Sequence, residues 1–422
     1  MAELFRGAGY RTGMVGKWHL GMNAVNRTDG SHLPQHHGFD FVGHLFPIST
    51  LWRCDESGFF RSEPPDASAC LLYYGDRLIQ QPIRFANLTE RLLDDWFNFL
   101  DGVVENKQSC TERPFFFYFS FPHVHVPQFA TAKFKGSSRR GLYGDNLAEM
   151  AWAVGKVASS LRDRGMASNT LLLFLSDHGP HRELCNYGGL TGGLRGGKSN
   201  TFEGGFRIPF IAWMPGVIQA GQISQTPLSA LDLFPSFRWL LYSQDDDNDG
   251  TCVTRPLDGA NALDYLLGRR VDDGDQLFKR RLVFFFCNRH LMAARNGRYK
   301  VHWKTIPIVE TKGDYNCPGG MHLKAWFYRP NCPEEHLTNH TPPLVYDLHA
   351  DPRELFPLIS GGIPEGLLEE TTTRADELLN SMAFEGNAPL LDPSYLSDDV
   401  VPCCDYPNCS CDYPAKPESD GK

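Results

Sequence analysis

The sequence predicts an α/β domain built on a parallel sheet, followed by a smaller α+β domain with an antiparallel sheet. Two short apolar runs, residues 115–121 and 171–175, are typical of strands buried on both faces of a parallel sheet. An amphipathic helix is predicted between them at 143–164, with Asp145 as its N-cap. Its predicted inward face comprises Leu147, Met150, Val154, Val157 and Leu161. Strand, helix and strand in this order predict a right-handed parallel crossover.

Further elements are predicted on either side of this unit. Residues 2–6 are expected to end a helix, and residues 12–15 to form a short strand. A helix is predicted at 87–100, a second apolar strand at 207–213 and a helix at 229–242. The apolar face of the 87–100 helix is formed by Leu88, Leu92, Trp96 and Phe99.

The pattern of apolar and turn residues changes near residue 270. Residues 282–286, 293–303 and 344–348 are strand-like and are joined by turns such as the one at 296–297, which predicts an antiparallel sheet. Residues 365–382 are predicted to be helical. The predicted domains are a catalytic domain at 1–270, an α+β subdomain at 271–400, and a cysteine-rich end with a polar tail at 401–422.

The cysteines point to an oxidising compartment. The chain has 12 cysteines, and four of them lie between Cys403 and Cys411. This cluster could hold a metal or form disulfides, but adjacent cysteines do not match the Cys-x-x-Cys spacing of zinc sites, so disulfides are favoured. Candidate glycosylation sites at Asn26, Asn87 and Asn339 agree with a secreted, lysosomal or lumenal protein.

Composition excludes several classes of partner. The net charge of −9 gives no overall basic footprint, so nucleic acid is not expected to bind. No apolar run approaches the length of a membrane span. The N-terminus at Met1 has no apolar signal-peptide core, which conflicts with the predicted compartment unless the chain begins within a longer protein.

Side chains that bind anions or metals come after three of the predicted strands. They are Lys17 and His19, His123 and His125, and Asp177 and His178, with Lys198 on a glycine-rich loop. Each pair alone could be a solvated or half-buried side chain, but open α/β sheets bind ligands at the carboxyl edge of their strands. Two lysines and several histidines suit a sulfate or phosphate ester, and Asp177 is a hard oxygen donor for calcium or magnesium. A histidine there could protonate the leaving oxygen.

The glycine-rich loop contains a literal match to the phosphate-loop pattern. Gly192, Gly197, Lys198 and Ser199 satisfy G-x4-G-K-[ST]. That motif directly follows a strand and opens a helix, whereas the preceding predicted strand ends at residue 175 and residues 200–205 are poor helix starters. We therefore reject nucleotide binding.

The same residues resemble the type I sulfatases. Residues 9–21 resemble the second signature of that family, and residues 176–180, 192–198 and 203–209 resemble it in the same order. Similarity to the steroid sulfatase (arylsulfatase C) subgroup comes from residues 80–91, 123–125, 342–348 and 403–411. The resemblance covers nearly the whole chain.

The resemblance implies a fold, a reaction and roles for these residues. The fold would be an alkaline-phosphatase-like α/β domain with a mixed, mostly parallel sheet, followed by the small C-terminal α+β domain. Lys17 and His19 would hold a hydrated formylglycine, and His125 and Lys198 would contact the sulfate and the leaving oxygen. Asp177 and His178 would ligate Ca²⁺. Imidazole is softer than the amide oxygen of relatives, so Asp177 alone is the alternative ligand.

The chain departs from the family pattern in its nucleophile. None of its cysteines lies in Cys-x-Pro/Ala-x-Arg, and the paired aspartates of the first family strand are absent. We expect both upstream of Met1, in a protein that hydrolyses sulfate esters of small molecules or glycans. The alternatives are an inactive sulfatase that binds anions or a partner, and a phosphate-ester hydrolase with Ser or Thr as nucleophile. Residues 54–110 lack the apolar membrane hairpin of steroid sulfatase, which predicts a lumenal protein.

Overall fold

The computed structural model describes most of the chain as two compact units. The described residues are 1–47, 54–55, 70–108, 113–242, 257–270, 281–307, 332, 334–382 and 398–415. The first unit comprises Met1–Met166, Phe237–Leu257 and Pro389–Lys422, and the second comprises Ala167–Ser236 and Asp258–Ala388. Cys110, Cys252 and Cys317 lie outside the described residues, as does the tail after residue 415.

The described part of the first unit contains a six-stranded mixed sheet. Its strands are β1 (Arg11–Lys17), β2 (Phe41–Phe46), β3 (Leu72–Tyr74), β4 (Arg77–Gln81), β5 (Phe115–Ser120) and β12 (Cys411–Asp412), in the order β12-β4-β3-β2-β1-β5. The three longest strands run parallel, with β1 between β2 and β5. The short strands β3, β4 and β12 pair antiparallel. The mixed α/β sheet is thus confirmed.

Two helices pack on this sheet. In α1 (Ala2–Gly7), the ring of Phe5 stacks on Phe116 of β5, with centroids 4.5 Å apart. In α2 (Leu88–Gln108), the predicted face of Leu88, Leu92, Trp96 and Phe99 is at most 3 % exposed. Fixed spacing of apolar residues therefore predicted both the helix and the side that it buries.

The next helix buries only part of the predicted face, since Leu161 is 1 % exposed but other residues of that face are not fully buried. α3 spans Gly141–Asp163, but Leu147 is 42 % exposed. Its buried residues are Asp145, Asn146, Glu149, Ala153, Ser160 and Leu161. Asp145 lies inside the helix and is not its N-cap, which is Arg140. A largely polar face is buried because its side chains bind the backbone of a neighbouring loop.

The strand predicted at 171–175 is half-buried. β6 (Leu172–Leu175) pairs antiparallel with β7 (Phe210–Trp213) in a separate two-stranded sheet of the second unit. The predicted parallel crossover is therefore wrong, since β5 pairs with β1 and β6 with β7. An apolar run of four or five residues specifies a strand but not its partner.

The second unit also holds the predicted antiparallel sheet. Its strands are β8 (Leu282–Cys287), β9 (His290–Asn296), β10 (Tyr299–Thr305) and β11 (Thr338–Asp347), in the order β11-β10-β9-β8. The predicted helix is α7 (Leu367–Ser381), and Leu367 packs on Val301 and Val345 in the core. Shorter helices are α4 (Glu203–Phe206), α5 (Leu233–Leu241) and α6 (Leu263–Leu266).

Disulfides hold the cysteine-rich end. Cys403 is bonded to Cys409 and Cys404 to Cys411, which confirms disulfides over a metal site. Further bonds join Cys54 to Cys70 and Cys287 to Cys332. Across the described ranges, no helix has the length and apolarity to span a bilayer.

Candidate active site

The carboxyl ends of β1 and β5 meet at one edge of the six-stranded sheet. These strands are parallel neighbours in which Gly16 lies opposite Ser120. Gly16 has φ +93°, and a Cβ there would overlap the carbonyl oxygen of Ser120, so the two strand ends approach closely because this residue is glycine. Lys17, half-buried, ends β1, and His19 is exposed two residues later.

His125 follows β5 on a turn that orients its ring. The backbone N–H of His125 donates to the oxygen of Pro122 (3.0 Å), and its Nδ1 lies 2.7 Å from the carbonyl oxygen of Val126. A carbonyl only accepts, so Nδ1 carries the proton, and in the neutral ring Nε2 carries the lone pair. The hydrogen bond thus selects one tautomer of the imidazole.

Helix α3 holds the segment that carries His125, residues 122–131. The carboxylate of Glu149, fully buried, accepts from the backbone N–H of Thr131 (2.7 Å) and the hydroxyl of Thr89 (2.5 Å). Asn146 donates from Nδ2 to the oxygen of Phe129 (2.7 Å). These bonds account for the polar buried face of α3, because each satisfies a group that would otherwise be unpaired.

His123 belongs to the same network rather than to a catalytic pair with His125. Its Nε2 lies 3.2 Å from the hydroxyl of Thr89, and its ring packs near Phe121 and Phe129. Because Thr89 donates its proton to Glu149, His123 donates from Nε2. Burial lowers the pKa of His123 to about 3, so it stays neutral at pH 7.

In the second unit, Asp177 and His178 directly follow β6. The side chains of Asp177 and His178 are 68 % and 42 % exposed. Nδ1 of His178 lies 2.8 Å from the carbonyl oxygen of Gly179, so it is the protonated nitrogen of the neutral ring. Its Nε2, which then carries the lone pair, lies 3.3 Å from Asp177 Oδ2. Two electron-pair donors at this distance can contact one cation.

The glycine-rich loop, residues 192–205, folds back on this strand end. The backbone N–H of Lys198 donates to the oxygen of Pro180 (2.9 Å), and that of Gly179 donates to Gly205 (2.8 Å). The structure thereby brings Lys198 to the segment that carries Asp177 and His178. The one-turn helix α4 begins at Glu203, within the stretch that we expected to be a poor helix starter.

A cluster of buried charges lies behind the glycine-rich loop. Lys300 on β10 is fully buried, and its Nζ lies 3.0 Å from Glu203 Oε1 and 3.7 Å from Glu354 Oε1. His302, also fully buried, has Nε2 at 2.8 Å from Glu354 Oε1. The backbone N–H of Glu203 donates to Glu354 Oε2 (2.6 Å). This charge cluster (Glu203, Lys300, His302 and Glu354) ties the end of the loop to the antiparallel sheet.

Two members of the charge cluster, His302 and Glu354, have shifted pKa values. Burial lowers the pKa of His302, so the ring is neutral and donates from Nε2. Burial also opposes the charge of Glu354, but the hydrogen bond from His302 and the charge of Lys300 hold its pKa below the ordinary value. We did not predict this cluster, although Lys300 and His302 are two apart on a strand and therefore share a face.

Arg195 extends this anchoring into the loop itself. Its guanidinium lies over the ring of Phe202, 4.2 Å from the centroid, and NH1 donates to the carbonyl oxygen of Glu354 (2.9 Å). NH1 also reaches the hydroxyl of Tyr346 at 3.3 Å. The end of the loop that carries Lys198 is thus held by two cations: Arg195 contacts Phe202, and Lys300 pairs with Glu203.

The donor chemistry fits a calcium ion in part. Asp177 offers an exposed hard oxygen, and the facing donors of Asp177 and His178 would be drawn together by a cation. Calcium takes six to eight oxygen ligands, however, and no group of three or more candidate ligands occurs in the described ranges. These residues could therefore hold one side of the ion but not complete its shell.

Two family models match the chain. The model described as Sulfatase matches residues 1–241, and the model described as the C-terminal region of aryl-sulfatase matches residues 278–411. The boundary that we predicted between 270 and 271 lies between the two matches and stays a prediction.

Curated relatives carry names of the same class. The chain is 39 % identical to an arylsulfatase of Hemicentrotus pulcherrimus, over 99 % of this chain and 71 % of that protein. It is 32 % identical to a steryl-sulfatase of Rattus norvegicus, over 90 % of this chain and 71 % of the relative. Arylsulfatase A of Bos taurus is 33 % identical over 97 % of this chain and 76 % of its own length.

Solved structures share the fold. The PsFucS1 sulfatase from Pseudoalteromonas sp. superposes with a TM-score of 0.68 at 22 % identity, covering 90 % of this chain and 72 % of the other. The structure titled Ps i-CgsB gives a TM-score of 0.62 at 20 % identity, over 90 % and 73 % of the two chains. At this identity the similarity establishes the alkaline-phosphatase-like architecture.

Proposed function

The chain belongs to the sulfatase family and is a sulfate-ester hydrolase by that membership, and we propose that its reaction uses a formylglycine and a calcium ion. The observation that carries the proposal is the placement of cationic and imidazole groups at strand ends. Lys17 is the last residue of β1, and His125 follows β5, its parallel neighbour in the same sheet. The backbone of Lys198 lies against the segment that begins with Asp177. Such groups suit an anionic ester whose leaving oxygen needs a proton.

We assign roles to the residues of this chain from the family resemblance and, for His125, from its hydrogen bond to Val126. Lys198 would contact the sulfate, as a compact ammonium group does, and Lys17 would hold the formylglycine. His19 would help Lys17 hold the nucleophile. A protonated His125 would keep its Nδ1 hydrogen bond to Val126 and offer Nε2–H to the leaving oxygen. The tautomer fixed by Val126 thus leaves the catalytic proton at Nε2.

Two groups of the proposed reaction are not supplied by these residues. A hydrated formylglycine would provide the attacking hydroxyl, but none of the cysteines in the sequence lies in Cys-x-Pro/Ala-x-Arg. Calcium would neutralise charge on the ester when bound, with Asp177 as one ligand and His178 as a second candidate.

An inactive sulfatase that binds anions or a partner is the second candidate. The missing cysteine pattern favours this candidate, because an intact anion site without a nucleophile would bind a sulfate ester without hydrolysing it. Sequencing the transcript upstream of the Met1 codon separates the two. An open frame with an aspartate pair and Cys-x-Pro/Ala-x-Arg supports the enzyme, and an in-frame stop supports the inactive protein.

Activity of the 422-residue chain provides a direct test. Because the printed sequence holds no formylglycine precursor, we expect negligible hydrolysis of small aryl sulfates, steryl sulfates and aryl phosphates. We expect an aryl sulfate to bind nonetheless, and to bind at least about tenfold more weakly in Lys17→Ala and Lys198→Ala variants. Turnover of an aryl sulfate that disappears in Lys198→Ala would refute the need for an added nucleophile.

The proposed setting is the secretory pathway: lysosome, ER lumen or extracellular space. The disulfides at 403–409 and 404–411 require an oxidising compartment. Asn26, Asn87 and Asn339 are exposed, as glycan acceptors must be. The substrate would be a sulfate ester of a small molecule or glycan.

A further inference from the structure

A locally basic loop stands out in a protein of net charge −9. Residues 131–140, directly after the segment that carries His125, include Lys133, Lys135, Arg139 and Arg140 and contain no acidic residue. The first three of these side chains are exposed. A concentration of one sign of charge against the overall balance creates a local potential that attracts the opposite charge.

Helix α3 contributes an aromatic ring and another cation to the same surface. The Nζ atom of Lys133 lies 4.5 Å from the ring centre of Trp152, and that of Lys156 lies 5.8 Å from it. Phe134 packs against the indole, with centroids 5.6 Å apart. Two ammonium groups therefore flank one half-buried indole ring.

Buried carboxylates of α3 hold this surface in place. The carboxylate of Asp145 is 4 % exposed and accepts from the backbone N–H groups of Gly136 and Ser138, each at 2.8 Å. Asp145, Glu149, Trp152 and Lys156 are spaced by four, three and four residues, so they lie along one side of the helix. Asp145 and Glu149 on that side accept hydrogen bonds from the loop backbone. Trp152 and Lys156 on the same side form a cluster with Lys133.

We propose that this lysine–tryptophan surface (Lys133, Lys135, Arg139, Trp152 and Lys156) binds a sulfated polysaccharide chain. Sulfate groups spaced along a sugar chain suit separate ammonium groups, which act as point charges. In the bound state, the partly exposed indole would pack against the C–H face of a pyranose ring.

The choice of a sulfated polymer among polyanions rests on the proposed function. His125 and Lys133 lie eight residues apart in the sequence, so their backbones are at most about 28 Å from each other. A polymer with one sulfate ester near His125 can therefore extend over the surface. Binding itself does not depend on turnover and is expected whether or not the ester is cleaved.

Equilibrium binding of a size-defined heparin oligosaccharide to the full chain tests the proposal. The double variant Lys133→Gln/Lys156→Gln should bind it at least about tenfold more weakly and with a shallower dependence on salt, because two cations are removed. Both side chains are exposed, so folding should be unaffected. The matched control, Arg289→Gln/Arg374→Gln, removes two exposed cations from the second unit and should bind like the parent chain.

Three results would overturn the proposal. They are equal binding by the Lys133→Gln/Lys156→Gln variant, equal binding of fully desulfated heparin, and competition by poly(U) as effective as that of heparin. Aryl sulfate binding by Lys198→Ala reports separately on the candidate active site. The surface variant could lose heparin binding while no aryl sulfate binding that depends on Lys198 is found. That result would support the proposed polysaccharide surface and reject the proposed function.

Discussion

The two segments that carry candidate active-site residues are held in place by different chemistry. Residues 122–131, which carry His125, are fixed by a hydrogen bond that Asn146 donates and by hydrogen bonds that Thr89 and Glu149 accept from neutral groups. The glycine-rich loop, which carries Lys198, is fixed by the charge cluster around the fully buried Lys300. A buried charge is costly unless it is paired, whereas a neutral hydrogen bond is worth less and costs less to lose. The loop with Lys198 should therefore be more sensitive to single substitutions.

Lys300→Met is expected to have the largest effect. The substitution keeps most of the side-chain volume but removes the cation closest to the buried carboxylates of Glu203 and Glu354, leaving Arg295 NH1 at 4.0 Å from Glu203 Oε2. Removing one partner of a buried ion pair costs about 3–5 kcal/mol. Urea unfolding of the variant and the parent chain measures the loss.

A second substitution separates charge from packing at this position. The double variant Lys300→Met/Glu203→Gln removes one of the uncompensated charges, so it should recover part of the lost stability. Arg374→Met removes an exposed cation on α7 and should change stability by less than about 0.5 kcal/mol. If Lys300→Met were as mild as Arg374→Met, the buried charges would not be what holds the loop.

Glu149→Gln tests the other segment and should cost less. Glutamine keeps the side-chain shape and one acceptor oxygen but loses the acceptor for either Thr131 or Thr89. Leaving one buried donor unpaired costs about 1–3 kcal/mol. Glu369→Gln, at an exposed position on α7, is the matched control and should be near neutral. A larger loss for Glu149→Gln than for Lys300→Met would reverse the comparison.

The same contrast explains which parts of the structure could be predicted from the sequence. The α2 face was predictable because Leu88, Leu92, Trp96 and Phe99 are buried by apolar packing alone. The α3 face was not, because Glu149 and Asn146 are buried to bind a loop far away in the sequence, while Leu147 is exposed. Apolar periodicity carries no signal for hydrogen bonds of that kind.

Site residues divide in the same way. The motifs located Lys17, His125 and Asp177 at or near strand ends and Lys198 on the glycine-rich loop, since residue order alone determines which side chains come after a strand. They gave no indication of the charge cluster, because Lys300 and His302 look like the solvent-facing positions of an edge strand. Pairing of their charges depends on Glu203 and Glu354, which are distant in the sequence.

At neutral pH, substitution of His123 should have the smallest effect of the three on stability, because its effect depends on acid. Burial places the pKa of His123 at about 3, below the value of about 6.5 expected for an unfolded chain. Between these values the unfolded state binds more protons, so stability is present above pH 6.5 and is lost as the pH falls towards 3. His123→Gln keeps an N–H donor for Thr89 and cannot titrate. It should match the parent chain at pH 7.5 and lose less stability at pH 5, by about 2 kcal/mol. Unfolding curves at the two pH values measure the difference.

The contradicting outcome is the same acid dependence in the parent chain and the variant. The ring of His123 would then reach solvent and gain its proton without disturbing Thr89 and Glu149. In that case, the segment that carries His125 would be less firmly held than its hydrogen bonds indicate.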